Sequence, residues 1–176
     1  MNQFETLYQH AVDNYGLVST ADAARLGIHR KELLRWTKSG RLEKRGRGLY
    51  RIVHYVPTEL DRYAEAVALA GGDAMVFGES VLAMHDLALV NPARVAVART
   101  GRIRRALPDW IRVVPRTAAM RREDFEGIPC QRLSDAFRTC RAAVMPDRLA
   151  DGVRAAAKEG LLGRAEAEAL WKEFPG

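Results

Sequence analysis

Apolar residues near the amino terminus recur at helical spacing. Phe4, Leu7, Tyr8, Ala11 and Val12 fall at i, i+3, i+4, i+7 and i+8. This stripe predicts an amphipathic helix, and Gly16 stands just past its last apolar contact, where a helix ends. Ser19 and Asp22 then have the spacing of a capping box, so a short second helix is expected from Thr20 through Ala24 to Leu26. Gly27 suits the sharp turn that follows. A third helix is predicted over residues 30–39, and Gly40 closes it.

The period then changes. Leu42 begins one strand-like run and Leu49 another, with Gly46 and Gly48 between them. Two short strands around a glycine-bearing turn predict a β-hairpin. Helix, helix, turn, helix, hairpin is the order of a winged helix-turn-helix domain. Pro57 and Thr58 mark the expected boundary, so residues 1–56 form this domain and residues 57–176 a mixed α/β domain with a helical carboxyl-terminal segment. The expected fold class is α+β.

In the second segment, Leu60, Tyr63, Ala64, Val67 and Ala68 form another helical stripe, stopped by Gly71 and Gly72. Residues 80–89 read as a helix capped by Ser80. Strands are expected at 95–97 and 111–114, with a weaker one at 127–130. Helices are expected at 133–144, 146–158 and 163–174, with Pro146 at a first helical position and Gly160 at a helix end.

Charge sharpens the picture by its position. The chain has 176 residues and a formal charge of +6. Residues 1–56 carry +5, residues 57–98 carry −4, residues 99–122 carry +7 and the remainder −2. Two basic blocks separated by acidic or near-neutral stretches point to an anionic partner more directly than the total does. No apolar run approaches the roughly 18 residues of a spanning helix, and no secretory signal pattern is present. A cytoplasmic protein without a membrane partner is expected. Cys130 and Cys140 lie ten apart without a histidine at ligand spacing, so reduced, partly buried thiols are expected and a structural zinc is not.

The third predicted helix divides into two faces. Leu33, Trp36 and Thr37 fall on one; Lys31, Leu34, Arg35 and Lys38 fall on the other, with Arg30 at the helix start. A recognition helix needs such a division, because its outward face meets phosphates and base edges in the major groove. The hairpin adds Arg45 and Arg47 at its tip and Lys44 and Arg51 on its strands. The candidate DNA-contacting set is Thr20, Arg30, Lys31, Leu34, Arg35, Lys38, Lys44, Arg45, Arg47 and Arg51. Arg99, Arg102, Arg104 and Arg105 form a candidate second patch for nucleic acid or another partner, three of them in an expected connection between strands.

The stretch "GLVSTADAARLGIHRKELLRWTKSGRLEKRGRGLYRI", residues 16–52, resembles the amino-terminal domain of the AbiEi family of type IV antitoxins. The residues that carry the likeness are Thr20, Ala24, Gly27, Gly40-Arg41-Leu42 and Gly46-Arg47-Gly48-Leu49-Tyr50. His29 stands where the family more often has a Ser or Thr cap, and Arg45 where an apolar residue is common. "VFGESVLAMHDL", residues 76–87, is similar to the family's Ser-Ala-Leu-x-x-His-Gly-Leu helix, with Asp86 in place of Gly. "GIPCQRLSDAFRTC", residues 127–140, resembles a segment in which Ala136 and Thr139 replace the usual Thr and Asp. The resemblance implies a repressor of its own toxin–antitoxin operon that binds inverted repeats in double-stranded DNA. It also implies that the second domain counteracts a nucleotidyltransferase-type toxin.

An enzyme is not expected. Ser80 and His85 are five residues apart on one predicted helix and point in different directions, and the strained G-x-S-x-G turn is absent. Ser80 as a cap and His85 as a packed, hydrogen-bonded side chain account for both. No glutamate is followed two residues later by lysine, so the usual D…E-x-K metal-nuclease site cannot be assembled. No cofactor or metal is expected. The alternative is a protein-interaction module that binds a toxin or another partner directly, with DNA binding secondary.

Overall fold

The computed structural model describes residues 2–176. They form a mixed α+β structure with two sheets, in two compact units, Met1–Leu69 and Ala70–Gly176.

In the first unit the elements run α1 (Gln3–Val12), β1 (Leu17–Ser19), α2 (Thr20–Arg25), α3 (Arg30–Lys38), β2 (Leu42–Gly46) and β3 (Leu49–Ile52). Helix α4 (Asp61–Ala70) follows and ends at the unit boundary. Local chemistry sets the helix starts. Asn2 and Glu5 bond each other's backbone amides reciprocally, and so do Ser19 and Asp22, which satisfies donors that a helix leaves open at its first turn. His29 supplies no side-chain cap to α3. The three strands pair antiparallel in the order β1-β3-β2. Leu7, Ala11, Val18, Ala23, Ile28, Leu33, Trp36, Leu42, Tyr50 and Ile52 form the core between helices and sheet.

The second unit has a five-stranded sheet in the order β6-β5-β4-β8-β7. Its strands are β4 (Met75–Val76), β5 (Val95–Arg99), β6 (Ile111–Pro115), β7 (Arg122–Phe125) and β8 (Ile128–Gln131). Pairs β5/β6 and β4/β8 are parallel; β4/β5 and β7/β8 are antiparallel. Its helices are α5 (Glu79–Met84), α6 (Leu133–Thr139), α7 (Pro146–Lys158) and α8 (Arg164–Glu173). Phe137, Met75, Leu82, Ile128, Leu133, Leu149 and Leu170 are among its fully buried side chains.

Several expectations change here. The helix expected over 80–89 stops at Met84, because Asp86, Ala88 and Leu89 take positive φ of 56°, 58° and 48°. Its cap position belongs to Gly78 rather than Ser80. The helix expected to reach residue 144 ends at Thr139 and tightens into a 3-10 turn at Cys140–Ala142. Strands β1, β4 and β7 were not anticipated.

Candidate nucleic-acid interface

Helix α3 sorts its side chains as its sequence predicts. Leu33 and Trp36 are buried in the first unit's core, and the Thr37 hydroxyl donates to the Leu33 carbonyl at 2.7 Å. Arg30, Lys31, Leu34, Arg35 and Lys38 are all exposed. Arg35 pairs with Glu32 one turn back, but its side chain remains 68% exposed, so the pair is weak. Leu34, 46% exposed, puts an apolar side chain among these cations.

The hairpin divides its cations differently. Lys44 pairs in register with Tyr50 and Gly46 with Leu49, so Arg45 is an extra residue on β2. A bulge of this kind re-aims a side chain relative to simple alternation. Arg45 accordingly donates from Nε and Nη2 to the two oxygens of Glu65 on α4, at 2.8 and 3.2 Å. Arg51 donates from Nη2 to the same carboxylate at 3.3 Å, and its side chain is only 15% exposed. Glu65 is 5% exposed. The hydrogen bonds to Glu65 hold the Arg45 guanidinium pKa above its ordinary value. Arg45 and Arg51 were expected to face DNA; their guanidinium groups instead serve a half-buried ion cluster that fastens the hairpin to α4. The bulge and a partner 20 residues further on are the physical reason.

Arg47 remains exposed in the two-residue turn, and Lys44 on β2 is exposed too. Close approach fixes the turn. The Gly48 carbonyl accepts from the Thr20 backbone amide at 2.9 Å and from its hydroxyl at 3.2 Å. A Cβ on Gly48, whose φ is +69°, would come within 2.9 Å of that hydroxyl oxygen. Thr20 therefore ties the first turn of α2 to the hairpin tip.

In the second unit, Arg99 ends β5, and Arg102, Arg104 and Arg105 lie in the connection to β6. Arg99, Arg102 and Arg105 line one cleft together with Arg116; Arg104 is not among its lining residues. Arg116 follows β6 directly, and the parallel register sets its neighbour Pro115 opposite Arg99. That pairing is the signal by which Arg116 belongs with the others.

Ser80 and His85 have structural partners. The Ser80 hydroxyl is fully buried and accepts from the Ala96 amide of β5 at 2.8 Å, in place of the capping role expected for it. His85 is buried, with Nδ1 2.8 Å from the Val81 carbonyl and its ring 4.0 Å from that of Phe125. Burial lowers its pKa below the ordinary 6.5. Cys130 and Cys140 are free, buried thiols whose pKa is pushed up to about 12 by desolvation. Among the described residues there is no group of three or more His, Cys, Asp or Glu side chains able to hold a metal. Nor is any helix among them long and apolar enough to cross a membrane.

Comparison with known proteins places a match over the first unit. No curated protein matches the chain. A crystal structure of the RV2827C protein from Mycobacterium tuberculosis is similar at 14% sequence identity and a TM-score of 0.48, over 98% of this chain and 72% of that one. Residues 5–53 match the family described as "Transcriptional regulator, AbiEi antitoxin". This stretch spans α1 to β3 and includes α3 and the hairpin. Over residues 5–53, the chain is similar to the AbiEi antitoxin family of transcriptional regulators.

Proposed function

We propose that the chain is a DNA-binding autorepressor and the antitoxin of a type IV toxin–antitoxin system. In this proposal residues 1–56 form a winged helix-turn-helix domain. Helix α3 is its recognition helix and the β2–β3 hairpin its wing. Residues 57–176 form the antitoxin domain, which counteracts a nucleotidyltransferase-type toxin. The protein acts in the cytoplasm.

The observation that carries the proposal is how the first unit sorts its cations. Arg30, Lys31, Arg35 and Lys38 on α3, and Lys44 and Arg47 on the hairpin, are solvent-exposed. Arg45 and Arg51 meet carboxylates. Exposed cations on a helix and on an adjoining hairpin suit the major groove and the backbone beside it. Leu34, exposed among the α3 cations, suits contact with a thymine methyl. Thr20 stands at the start of α2, and a phosphate contact there has its hydroxyl exchange the Gly48 carbonyl for a phosphate oxygen while the amide keeps its bond to Gly48. The DNA-contacting set is therefore Thr20, Arg30, Lys31, Leu34, Arg35, Lys38, Lys44 and Arg47.

The test is a titration of the full chain onto duplex DNA from upstream of its own reading frame. A shuffled duplex of equal length and composition is the control. An autorepressor binds its own sequence about a thousandfold or more tighter than the shuffled one and protects an inverted repeat from nuclease. Equal affinity for the two duplexes contradicts the proposal.

A further inference from the structure

The second unit contains a cleft of about 640 Å3 between the β5–β6 connection and the carboxyl ends of those two parallel strands. Ligands of open α/β sheets gather at such strand ends. Four guanidinium groups line it, those of Arg99, Arg102, Arg105 and Arg116, and none of its lining residues is a carboxylate. Its apolar wall includes Ile103, Leu107 and Val113, the last 38% exposed on the edge strand β6. Cations concentrated over an exposed apolar surface suit an anion that carries a flat or apolar body.

Three of the four arginines, Arg99, Arg105 and Arg116, are held in place before any ligand arrives. The turn at residues 70–73 presents three carbonyls to them, those of Ala70, Gly71 and Asp73. Arg105 Nη2 donates to the Ala70 carbonyl at 3.3 Å, Arg99 Nε to Gly71 at 3.0 Å, and Arg116 Nη1 to Asp73 at 2.7 Å. A Cβ on Gly72 would lie 2.7 Å from Arg99 Nε, so the glycine makes room for that guanidinium. Asp73 fixes the start of the connection as well, accepting from the Thr100 amide and hydroxyl at 2.9 Å each. The Arg116 amide donates to the Arg99 carbonyl at 3.0 Å, which sets these two side by side.

These anchoring bonds use one nitrogen of Arg99 and one of Arg116. Both amino groups of Arg99, and Nη2 and Nε of Arg116, make no hydrogen bond among the described residues. Arg102 has no ion-pair partner among them. Guanidinium groups fixed by backbone carbonyls, and for Arg116 also by the Asp73 carboxylate at 3.4 Å, with donors left over at a cleft wall, suit phosphate oxygens.

We propose that this cleft binds a nucleoside polyphosphate. The phosphates sit among Arg99, Arg102, Arg105 and Arg116, and the base lies on Val113, Ile103 and Leu107. The volume falls within the range of about 300–1,000 Å3 that small-molecule sites occupy. The proposal is independent of the DNA-binding one: it concerns the other unit, and its test contains no duplex.

The test is calorimetric titration of the full chain with ATP, CTP, GTP and UTP in turn, then with inorganic tripolyphosphate. A single-stranded oligonucleotide of about 12 residues completes the series. At least one nucleoside triphosphate is expected to bind with Kd below about 100 µM. It should exceed tripolyphosphate by about tenfold or more, because only the nucleotide covers the apolar wall. Arg102→Ala and Val113→Glu both alter exposed side chains and should leave the thermal transition unchanged, while each weakens binding about tenfold. The proposal is overturned if no nucleoside triphosphate binds at about 1 mM. Undiminished binding in both variants, tripolyphosphate binding as tightly as the nucleotides, or oligonucleotide binding without mononucleotide binding would overturn it equally.

Discussion

Replacing Glu65 with glutamine removes one charge and leaves the shape of the side chain. Glu65 accepts three hydrogen bonds, two from Arg45 and one from Arg51. A hydrogen bond to a charged group contributes about 1.5–3 kcal/mol, and breaking a buried pair costs about 3–5 kcal/mol because the surviving charge loses its partner. Three features lower that figure here. Glutamine keeps one acceptor oxygen, Arg45 is 30% exposed and keeps Glu43 at 3.2 Å, and Arg51 lies 3.8 Å from Asp61. The cluster is also incompletely satisfied, since Arg51 Nε and Asp61 Oδ2 are buried without a hydrogen-bond partner. A loss of about 2–3 kcal/mol follows. The assay is urea unfolding read by Trp36 fluorescence in a Trp110→Phe/Trp171→Phe background, so that the signal comes from the first unit. The midpoint should fall with an unchanged slope, the signature of altered stability alone. A loss below about 0.5 kcal/mol, the scale of a surface ion pair, would refute the assignment of Arg45 and Arg51 to a structural cluster. The same assignment requires Arg45→Ala to lower stability while leaving the salt dependence of DNA binding intact.

Three further outcomes follow from the second unit. Ser80→Ala removes the acceptor of the Ala96 amide, and denaturant unfolding should show a loss of about 1–3 kcal/mol. His85 is buried with its pKa lowered by desolvation, so below the ordinary 6.5 the unfolded chain takes up a proton that the folded chain resists. Stability should decline as pH falls from 6.5 towards the lowered folded value, and His85→Leu should flatten that limb when midpoints are measured across pH. Cys130 and Cys140, with pKa pushed up to about 12, should resist a disulfide reagent in native protein and react only after unfolding; rapid labelling of native protein would contradict their burial.

Much of the first unit was legible in the sequence because its signals are local. The Ser19–Asp22 box, the apolar stripe of α1 and the paired faces of α3 all act within a few residues, and each forms as read. The short strands were not legible. Strand β1 has three residues and runs straight into the Ser19 cap, β4 has two, and β7 is Arg-Glu-Asp-Phe, with a single apolar residue at a sheet edge. Strands of this length have no periodicity to detect, and tertiary pairing alone defines them. The fate of Arg45 was hidden for another reason. Asp61 and Glu65 share one helical face at i and i+4, which in sequence suits a solvated surface equally well. Only the bulge at Arg45 brings that arginine to Glu65. The Arg99–Arg116 cleft was half visible, since the charge block marks its arginines but not the carbonyls of the Ala70–Asp73 turn that hold them.

The most direct measurement of the central claim is the salt dependence of binding to the upstream duplex. It compares the wild-type chain with Lys31→Ala/Arg35→Ala/Arg47→Ala, whose changed residues are all exposed. Each neutralised phosphate releases counterion, so each lost contact should flatten the slope of log K against log salt by about 0.9, and the triple variant by nearly 3. Wild-type binding that weakens steeply with salt, with a much shallower slope and lower affinity in the variant, is the predicted result. The same affinity and slope in both proteins would contradict the assignment of α3 and the hairpin tip as the DNA-binding surface.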